Sequence, residues 1–315
     1  MTDLEIFTRD GKDLPAVGKN VLALGTFDGV HTAHARLLSS AVELRDRLGC
    51  DRVGAWCFSY PPMSALKNED VPQLTSTKEK VELLLDSGMD FVAVADFNAF
   101  KDYTAEDFVN YVLLDQLKCH GAVCGFNHRF GKFGKGNASL LADLLGSDKV
   151  LTVDEIQYMG ETVSSTAIRE HIALGDIETA NAMLGRPFSL RAEVIEGKHL
   201  GRKLRFPTAN MRFPEGTVIP KHGIYATACI VDGKRYVGVS NVGIRPSVTD
   251  GSDDHKVNCE TYIVDFSEII YGKTVTVEFH EYLRNERKFD SLDALKAQIE
   301  IDKDAAIKYF QKIGQ

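Results

Sequence analysis

Short apolar runs alternate with amphipathic, helix-like segments from residue 20 to residue 185 of this 315-residue chain. The runs lack the polar alternation of a half-exposed strand, which is typical of strands buried on both faces. Strands that alternate with helices predict a doubly wound α/β domain, with a parallel sheet between two helical layers. The predicted strands are residues 21–24, 53–58, 91–95, 122–125 and 150–153. Ligands of such sheets bind outside the carboxyl ends of the strands, where the loops after Leu24 and Cys124 lie.

The pattern changes at Pro187, after which strands follow one another without helices. Many short strands joined by turns such as Asp232-Gly233 predict a small antiparallel β-barrel. The predicted strands are residues 190–196, 224–231, 235–240, 258–265 and 274–282. The change of pattern predicts two domains, residues 1–185 and 186–315. The length is sufficient for each domain to bury a core of its own.

A final helix is predicted to begin after an N-cap at Ser291. Its apolar side chains recur at helical spacing, so they form one stripe that is expected to pack against the barrel. The stripe consists of Leu292, Leu295, Ile299, Ala306 and Phe310.

Charge and cysteine content narrow the class of protein. The chain carries 45 acidic and 37 basic residues, a formal net charge of −8, and it has no basic block. This balance argues against a nucleic-acid or anionic-membrane partner, although it is compatible with a local basic pocket for phosphates. The six cysteines show no paired short spacing, and the sequence shows neither a secretory signal nor an apolar run of membrane-spanning length. We therefore expect a cytoplasmic protein.

The barrel half contains a segment suited to binding a metal ion beside phosphates. Pro207 fixes a bend before Thr208 and Asn210, whose side-chain oxygens are hard ligands of the kind that Mg²⁺ accepts. Glu260 lies in an alternating run that predicts a strand holding the carboxylate on one face. A metal-phosphate site and one fixed carboxylate are what phosphoryl transfer to a hydroxyl requires. The alternative is a turn and a surface glutamate.

Several motifs in a fixed order extend this interpretation. Residues 201–210 (GRKLRFPTAN), 238–246 (GVSNVGIRP), 260–262 (ETY) and 283–289 (LRNERKF) resemble the riboflavin kinase module. Residues 25–34 (GTFDGVHTAH) and 163–169 (VSSTAIR) resemble a nucleotidyltransferase. Together they resemble the family of prokaryotic bifunctional riboflavin kinase/FAD synthetases, over nearly the whole chain. The resemblance implies ATP as co-substrate in both steps, Mg²⁺ as the metal ion, riboflavin and FMN as substrates, and FAD as the final product.

For the kinase half, the resemblance implies that Thr208 and Asn210 position the metal ion and the phosphates. It implies that Glu260 activates the attacking hydroxyl. It places Arg284 in a loop bordering the flavin. The other nucleotide-binding residues that it implies are Gly201, Lys203 and Pro207.

For the nucleotidyltransferase half, His31 and His34 share one face at a helix start, where free N–H groups and the helix dipole favour anions. On their own, two histidines at this spacing favour a surface role. The resemblance implies that they hold ATP phosphates and stabilise the departing pyrophosphate, with Arg169 as a further cation. It adds nucleotide-binding residues that are otherwise ordinary turn or N-cap residues: Gly25, Phe27, Asp28, Asn127, Arg129, Ser164, Ser165 and Thr166.

The sequence departs from the family pattern in both halves. Ala33 stands where the family has glycine, and Tyr60-Pro61-Pro62 lacks the histidine of the family's proline-histidine-proline element. One alternative is therefore a riboflavin kinase with a degenerate adenylyltransferase domain. In the kinase half Arg205 replaces a glycine and Tyr262 a histidine. A further alternative is a non-catalytic flavin-binding protein, which the metal-ligand residues and Glu260 disfavour.

Overall fold

The structure is a computed structural model that describes most of the chain. The described residues are 4–14, 17–60, 71–196, 208–244 and 257–314. The chain divides into two compact units, residues 1–165 and 166–315. This division precedes the pattern change at Pro187 because the helix Ile177–Leu184 packs on the second unit. Asn181 of this helix donates from Nδ2 to the backbone oxygen of Phe279 at 2.8 Å.

The first unit is built on a six-stranded sheet. Its strands are β1 Leu4–Thr8, β2 Asn20–Leu24, β3 Arg52–Phe58, β4 Phe91–Ala95, β5 Cys119–Gly125 and β6 Val150–Val153. Their order is β1-β4-β3-β2-β5-β6, with β1 antiparallel to β4 and all other pairs parallel. The five predicted strands are confirmed. Strand β1 was not predicted, because three of its five residues are exposed and its pattern is not that of a buried strand. A short hairpin of β7 Gln157–Tyr158 and β8 Glu161–Thr162 follows the sheet.

Helices cover both faces of this sheet, as the alternating pattern predicts. They are α1 Thr32–Leu48, α2 Thr77–Asp86, α3 Phe97–Phe100, α4 Ala105–Asp107, which continues as a π-helix Phe108–Gln116, and α5 Ala138–Leu145. Alternate residues of β2 enter the two resulting cores. Leu22 and Leu24 pack on one side with the π-helix, while Val21 and Ala23 pack on the other side with α1. The doubly wound α/β fold is therefore confirmed.

The second unit contains an antiparallel barrel preceded by two helices. The helices are α6 Ser165–Leu174 and α7 Ile177–Leu184. Ser165, the first residue of α6, is the last residue of the first unit. The strands are β9 Phe188–Glu193, β10 Thr208–Arg212, β11 Gly223–Val231, β12 Lys234–Ile244, β13 Val257–Ile263 and β14 Thr274–Arg284. The strand order is β10-β13-β12-β11-β14-β9. A bridge between Ile195 and Asn210, with N–H to oxygen at 2.8 Å, joins the two ends of the sheet. The predicted barrel is confirmed, and β10 is an additional strand.

The final helix, α8 Leu292–Lys312, begins after the predicted N-cap, since Ser291 Oγ accepts a hydrogen bond from the backbone N–H of Ala294 at 3.1 Å. Ala306 and Phe310 are buried against the barrel, as expected. The predicted stripe is wrong at its start, where Leu292 is 58% exposed. Two polar residues of α8, Gln298 and Asp302, are buried instead. This half of the helix therefore packs through polar contacts.

Candidate active sites

Glu260 lies in a row of side chains that crosses five strands of the barrel. Strand β13 pairs Glu260 with Asn210 of β10 on one side and with Asn241 of β12 on the other. Asn241 is opposite Ile224 of β11, which is opposite Arg284 of β14. Directly opposite residues of antiparallel strands lie on one face, with Cβ atoms roughly 5 Å apart. The register thus aligns three residues predicted from motifs that are far apart in the sequence: Asn210, Glu260 and Arg284.

Thr208 and Asn210 belong to a strand and not to a bend. Thr208 is opposite Tyr262, two residues along β13 from Glu260, so Thr208, Asn210 and Glu260 share a face. Asn210 is 5% exposed, and its Nδ2 donates to the backbone oxygen of Thr208 at 3.2 Å. One hydroxyl oxygen and one amide oxygen are a small ligand set. They fit Mg²⁺, which keeps several waters and takes further oxygens from phosphates. Of the other predicted residues, Gly201, Lys203 and Pro207 lie outside the described residues.

No His, Cys, Asp or Glu cluster offers an alternative metal site within the described parts of the chain, where groups of three or more are absent. The metal site at Thr208 and Asn210 stays a prediction.

Arg284 is the last residue of β14 and does not lie in the following loop, contrary to the prediction. Its guanidinium forms a bidentate ion pair with Asp302 of α8, with Nε–Oδ1 and Nη2–Oδ2 distances of 2.9 and 2.6 Å. Gln298 donates to the same carboxylate at 2.7 Å and accepts from Arg287. Arg284 therefore anchors the final helix to the barrel, at the β14 end of the row that contains Glu260.

We expect Asp302→Asn to destabilise the second unit by about 3 kcal/mol, because it leaves the Arg284 cation without its buried partner. Asp302 is 4% exposed, so water cannot replace the carboxylate. The measurement is urea unfolding of the full chain, followed by hydrogen exchange in β11 and β14. Asp304→Asn, an exposed position on the same helix, is the matched control. Equal stability of the two variants would contradict an anchoring role for Arg284.

The second site lies in the first unit, where the sheet reverses its winding. Strand β2 lies between β3 and β5, so the loops after β2 and β5 emerge side by side at the carboxyl edge. The loop after β2 is held tightly: Gly25 N–H donates to the backbone oxygen of Trp56 at 3.2 Å. Phe27 and Val30 have positive φ, of 51° and 39°. Such backbone is uncommon for bulky side chains and concentrates at ligand-binding loops.

His31 and His34 are stacked at the start of α1. Their ring centroids are 3.6 Å apart and their planes differ by 16°. His31 is 4% exposed and is the N-cap, since its Nδ1 accepts a hydrogen bond from the backbone N–H of His34 at 3.3 Å. Phe27 is fully buried beneath the loop, with its ring 5.0 Å from that of His34. The Phe27 side chain therefore supports the histidine pair from inside the domain.

Asp28 and Ser165 hold the segments around this loop together. Asp28 is 3% exposed, and its Oδ1 accepts hydrogen bonds from the backbone N–H groups of Leu74 and Thr75 at 2.9 and 3.4 Å. Ser165 Oγ donates to the backbone oxygen of Asp28 at 2.9 Å. The structure thus brings the predicted residues Asp28 and Ser165 together. In this structure the Asp28 carboxylate binds backbone N–H groups of its own domain.

Asn127 and Arg129 are exposed in the loop after β5, on the same edge of the sheet. His128 between them stacks with Phe130, with ring centroids 5.8 Å apart. Burial lowers the pKa of His128 to about 4, so this histidine is neutral at pH 7. Of the residues next to Asn127, Arg129 and not His128 therefore carries positive charge at neutral pH.

Ser164 is half-buried just before α6, while Thr166 and Arg169 follow within it. Arg169 Nη2 donates to Thr166 Oγ1 at 3.2 Å. Thr166 and Arg169 belong to the second unit, whereas the histidines belong to the first. Their participation in the site stays a prediction.

Lys80 lies at the carboxyl edge of the sheet and was not predicted. It is 2% exposed on α2, and its Nζ donates to the backbone oxygen of Phe58, the last residue of β3, at 2.8 Å. Gln73 and Thr77 donate to the backbone oxygen of Ser59 at 3.1 and 3.0 Å. The available signal was a lysine in phase with the buried face of α2. The lysine lies at the edge of the sheet where the nucleotide phosphates are predicted to bind.

The departures from the family pattern fall on residues of different kinds. Ala33 lies in the first turn of α1 with ordinary helical φ, so its backbone conformation does not require glycine. Tyr60 is 67% exposed, while Pro61, Pro62 and Arg205 lie outside the described residues. The effect of the Ala33 methyl group on an approaching nucleotide stays untested.

Two family models match the chain on either side of α7. A model described as FAD synthetase matches residues 15–167, and one described as riboflavin kinase matches residues 184–310. His31 and His34 fall in the first segment and Glu260 in the second. The fold and the two sites thus define a chain that joins a nucleotidyltransferase-type α/β domain to a riboflavin-kinase-type barrel.

Proteins named bifunctional riboflavin kinase/FMN adenylyltransferase match over nearly their whole length. That of Bacillus subtilis is 31% identical over 299 residues, 94% of each chain, while those of Listeria monocytogenes and Escherichia coli are 33% and 32% identical, over 93% and 92% of each chain. The chain belongs to the bifunctional riboflavin kinase/FMN adenylyltransferase family. The resemblance inferred from the motifs is confirmed.

A solved structure shares the fold across both units. It is a crystal structure described as a macrolide-efflux protein from Streptococcus pneumoniae, with a TM-score of 0.84 and 27% identity, covering 95% of this chain and 96% of that one. In the residues that the structure describes, no helix combines the length and the apolar character needed to cross a membrane. The word efflux describes that protein. The likeness shows that the two chains share a fold.

Proposed function

We propose that this chain phosphorylates riboflavin with ATP and then transfers AMP from a second ATP to FMN, giving FAD and pyrophosphate. The observation that carries the proposal is the register that places Asn210 beside Glu260, each from a different motif of the kinase half. We assign the adenylyl step to residues 1–185 and the kinase step to residues 186–315. The two matched family segments support this assignment.

In the kinase step Glu260 accepts the proton of the 5′-hydroxyl of riboflavin as the hydroxyl attacks the terminal phosphate of ATP. Thr208 and Asn210 would hold Mg²⁺, which neutralises charge on the phosphates when bound. Glu260 lies directly opposite Asn210, so the proton acceptor and the metal ligands meet on one face. The sheet thus orients the hydroxyl towards the phosphate, which is the larger part of catalysis in phosphoryl transfer.

The adenylyl step needs no general base. The attacking group is the phosphate of FMN, which is mostly dianionic at neutral pH because its second pKa is about 6. Binding and charge stabilisation therefore suffice. We assign both to His31 and His34 at the N-terminus of α1, with Ser164 and Ser165 as further phosphate-binding residues. Gly25, Asn127 and Arg129 complete the proposed pocket.

The test is to incubate the purified chain with FMN, ATP and Mg²⁺ and to measure FAD and pyrophosphate, with a parallel reaction that starts from riboflavin. We expect FAD in both reactions. The second candidate is a kinase with an inactive adenylyl domain, which Ala33 favours. It predicts FMN accumulating from riboflavin with no FAD in either reaction, and that result would overturn the bifunctional proposal.

We propose that both reactions take place in the cytoplasm. All six cysteines are free in the structure, and five of them are buried. Burial raises the pKa of Cys57 to about 11 and that of Cys119 to about 12, so these thiols are protonated at neutral pH. Free thiols in this number agree with a reducing compartment.

A further inference from the structure

Asn241 has a buried acceptor with no donor in the row that carries Glu260. Its Oδ1 is inaccessible to water, and no hydrogen-bond donor reaches it in the described part of the chain. A buried, unsatisfied carbonyl oxygen costs about 1–3 kcal/mol. Such a group in a native fold calls for an explanation, and a ligand that supplies the missing donor is one.

The side chain of Asn241 points to the face of the sheet that carries Glu260. Neighbouring residues with the opposite orientation fill the barrel interior: Ser240 Oγ is hydrogen-bonded to Thr227 and Thr261, at 2.9 and 2.8 Å, and all three are fully buried. Asn241 therefore faces outwards, towards the side that α8 covers. Asn241 is directly opposite Glu260 in the register, so the two side chains leave the sheet on the same face.

The order of residues along the row indicates which ligand Asn241 meets. Asn210, with the proposed metal site, lies on one side of Glu260, and Asn241 lies on the other. Beyond Asn241 come apolar Ile224 and then Arg284. Because the carboxylate contacts the attacking hydroxyl, the phosphates occupy the Asn210 side. The rest of the acceptor molecule then lies on the Asn241 side of Glu260.

We propose that Asn241 is a substrate-positioning residue of the kinase, whose Oδ1 accepts a hydrogen bond from a ribityl hydroxyl adjacent to the one that is phosphorylated. Riboflavin supplies the donors, because its ribityl chain carries three hydroxyls besides the terminal one. Asn241 thereby selects a polyhydroxylated acceptor and holds its terminal hydroxyl against Glu260. This inference rests on the proposed kinase activity.

The experiment combines removal of the Asn241 side chain with removal of the substrate hydroxyls that it is proposed to bind. Wild type and Asn241→Ala are assayed with riboflavin and with a flavin whose side chain is 5-hydroxypentyl, which keeps the terminal hydroxyl and lacks the other three. We expect Asn241→Ala to lower kcat/KM for riboflavin about tenfold, the equivalent of one hydrogen bond. With the hydroxypentyl flavin we expect less than about a twofold difference, because the partner hydroxyl is already absent. The KM for ATP and the Mg²⁺ dependence should not change.

The outcomes separate the explanations. An equal loss with both flavins would overturn the proposal and leave Asn241 a structural role, and a raised Mg²⁺ requirement would make it a metal ligand instead. Absence of phosphorylation in the wild type would refute the kinase activity itself.

Asn258→Ala is the matched control, being an asparagine on the same face of β13 as Glu260. If Asn241→Ala does not fold, Asn241→Ser serves the same comparison with a shorter acceptor, and an equal loss with both flavins again overturns the proposal.

Discussion

Glu260→Gln is expected to abolish FMN formation from riboflavin while FAD formation from supplied FMN continues at the wild-type rate. The substitution keeps the shape of the side chain and its place in the row, but an amide cannot accept the proton of the attacking hydroxyl. Loss of a general base lowers a rate by about 10² to 10⁴. The measurement is the rate of each half-reaction on one preparation, with FMN and FAD separated by chromatography.

FAD formation by the Glu260→Gln protein shows that the first unit is intact, and urea unfolding compared with the wild type checks the barrel. A loss of both activities in a folded variant would contradict the division of the two reactions between the units. A fall in FMN formation of less than about tenfold would show that Glu260 orients the hydroxyl and does not take its proton.

His31→Asn is expected to reduce FAD formation by about 10² to 10³ and to leave FMN formation unchanged. The reason is the double role of His31, which caps α1 and is stacked on His34. Asparagine is itself a good N-cap, so it can keep the hydrogen bond to the backbone N–H of residue 34. It removes the imidazole, whose loss has the magnitude of losing one preorganised donor to developing charge. The measurement is pyrophosphate release from ATP and FMN.

His31→Ala separates the two roles. It removes the cap as well as the ring, so we expect the same loss of activity together with a destabilisation of the first unit by about 1 kcal/mol. If His31→Asn retained full FAD formation while His31→Ala lost it, His31 would act only as a cap. The chemistry would then have to be assigned to other residues of the loop.

Most of the fold is readable from the sequence because its strongest signals are local. Strands β2 to β5 have centres that are buried on both faces, so each contains a continuous apolar run. The N-cap at Ser291 needs only its neighbours in the chain to be recognised. Strand β10 was not predicted, because a proline followed by threonine and asparagine is typical of a turn. Its extended conformation results from pairing with β13, which lies about fifty residues further on.

The residues of the site could be predicted from the sequence, but their positions relative to one another could not. The motifs pointed to Asn210 and Glu260, yet no local pattern contains the strand register that sets them opposite each other. Asn241 was part of a quoted motif without a role, because its buried oxygen becomes evident only when its neighbours are in place. The final helix shows the same limit. Its apolar stripe predicted contacts at Leu292, while the buried contact is the ion pair between Asp302 and Arg284.

The seam of the barrel, where the end of β9 meets β10, affects how the kinase site is maintained. Strand β10 is paired along its length with β13, but among the described residues its other edge meets the start of the barrel only through the Ile195–Asn210 bridge. Strands with few cross-strand bonds are the first to open in local unfolding. Opening here would break the Ile195–Asn210 bridge but leave Thr208 and Asn210 paired with β13, the strand that carries Glu260. The metal ligands and the proton acceptor would then move as one ladder, so the kinase site would outlast a local opening of the barrel.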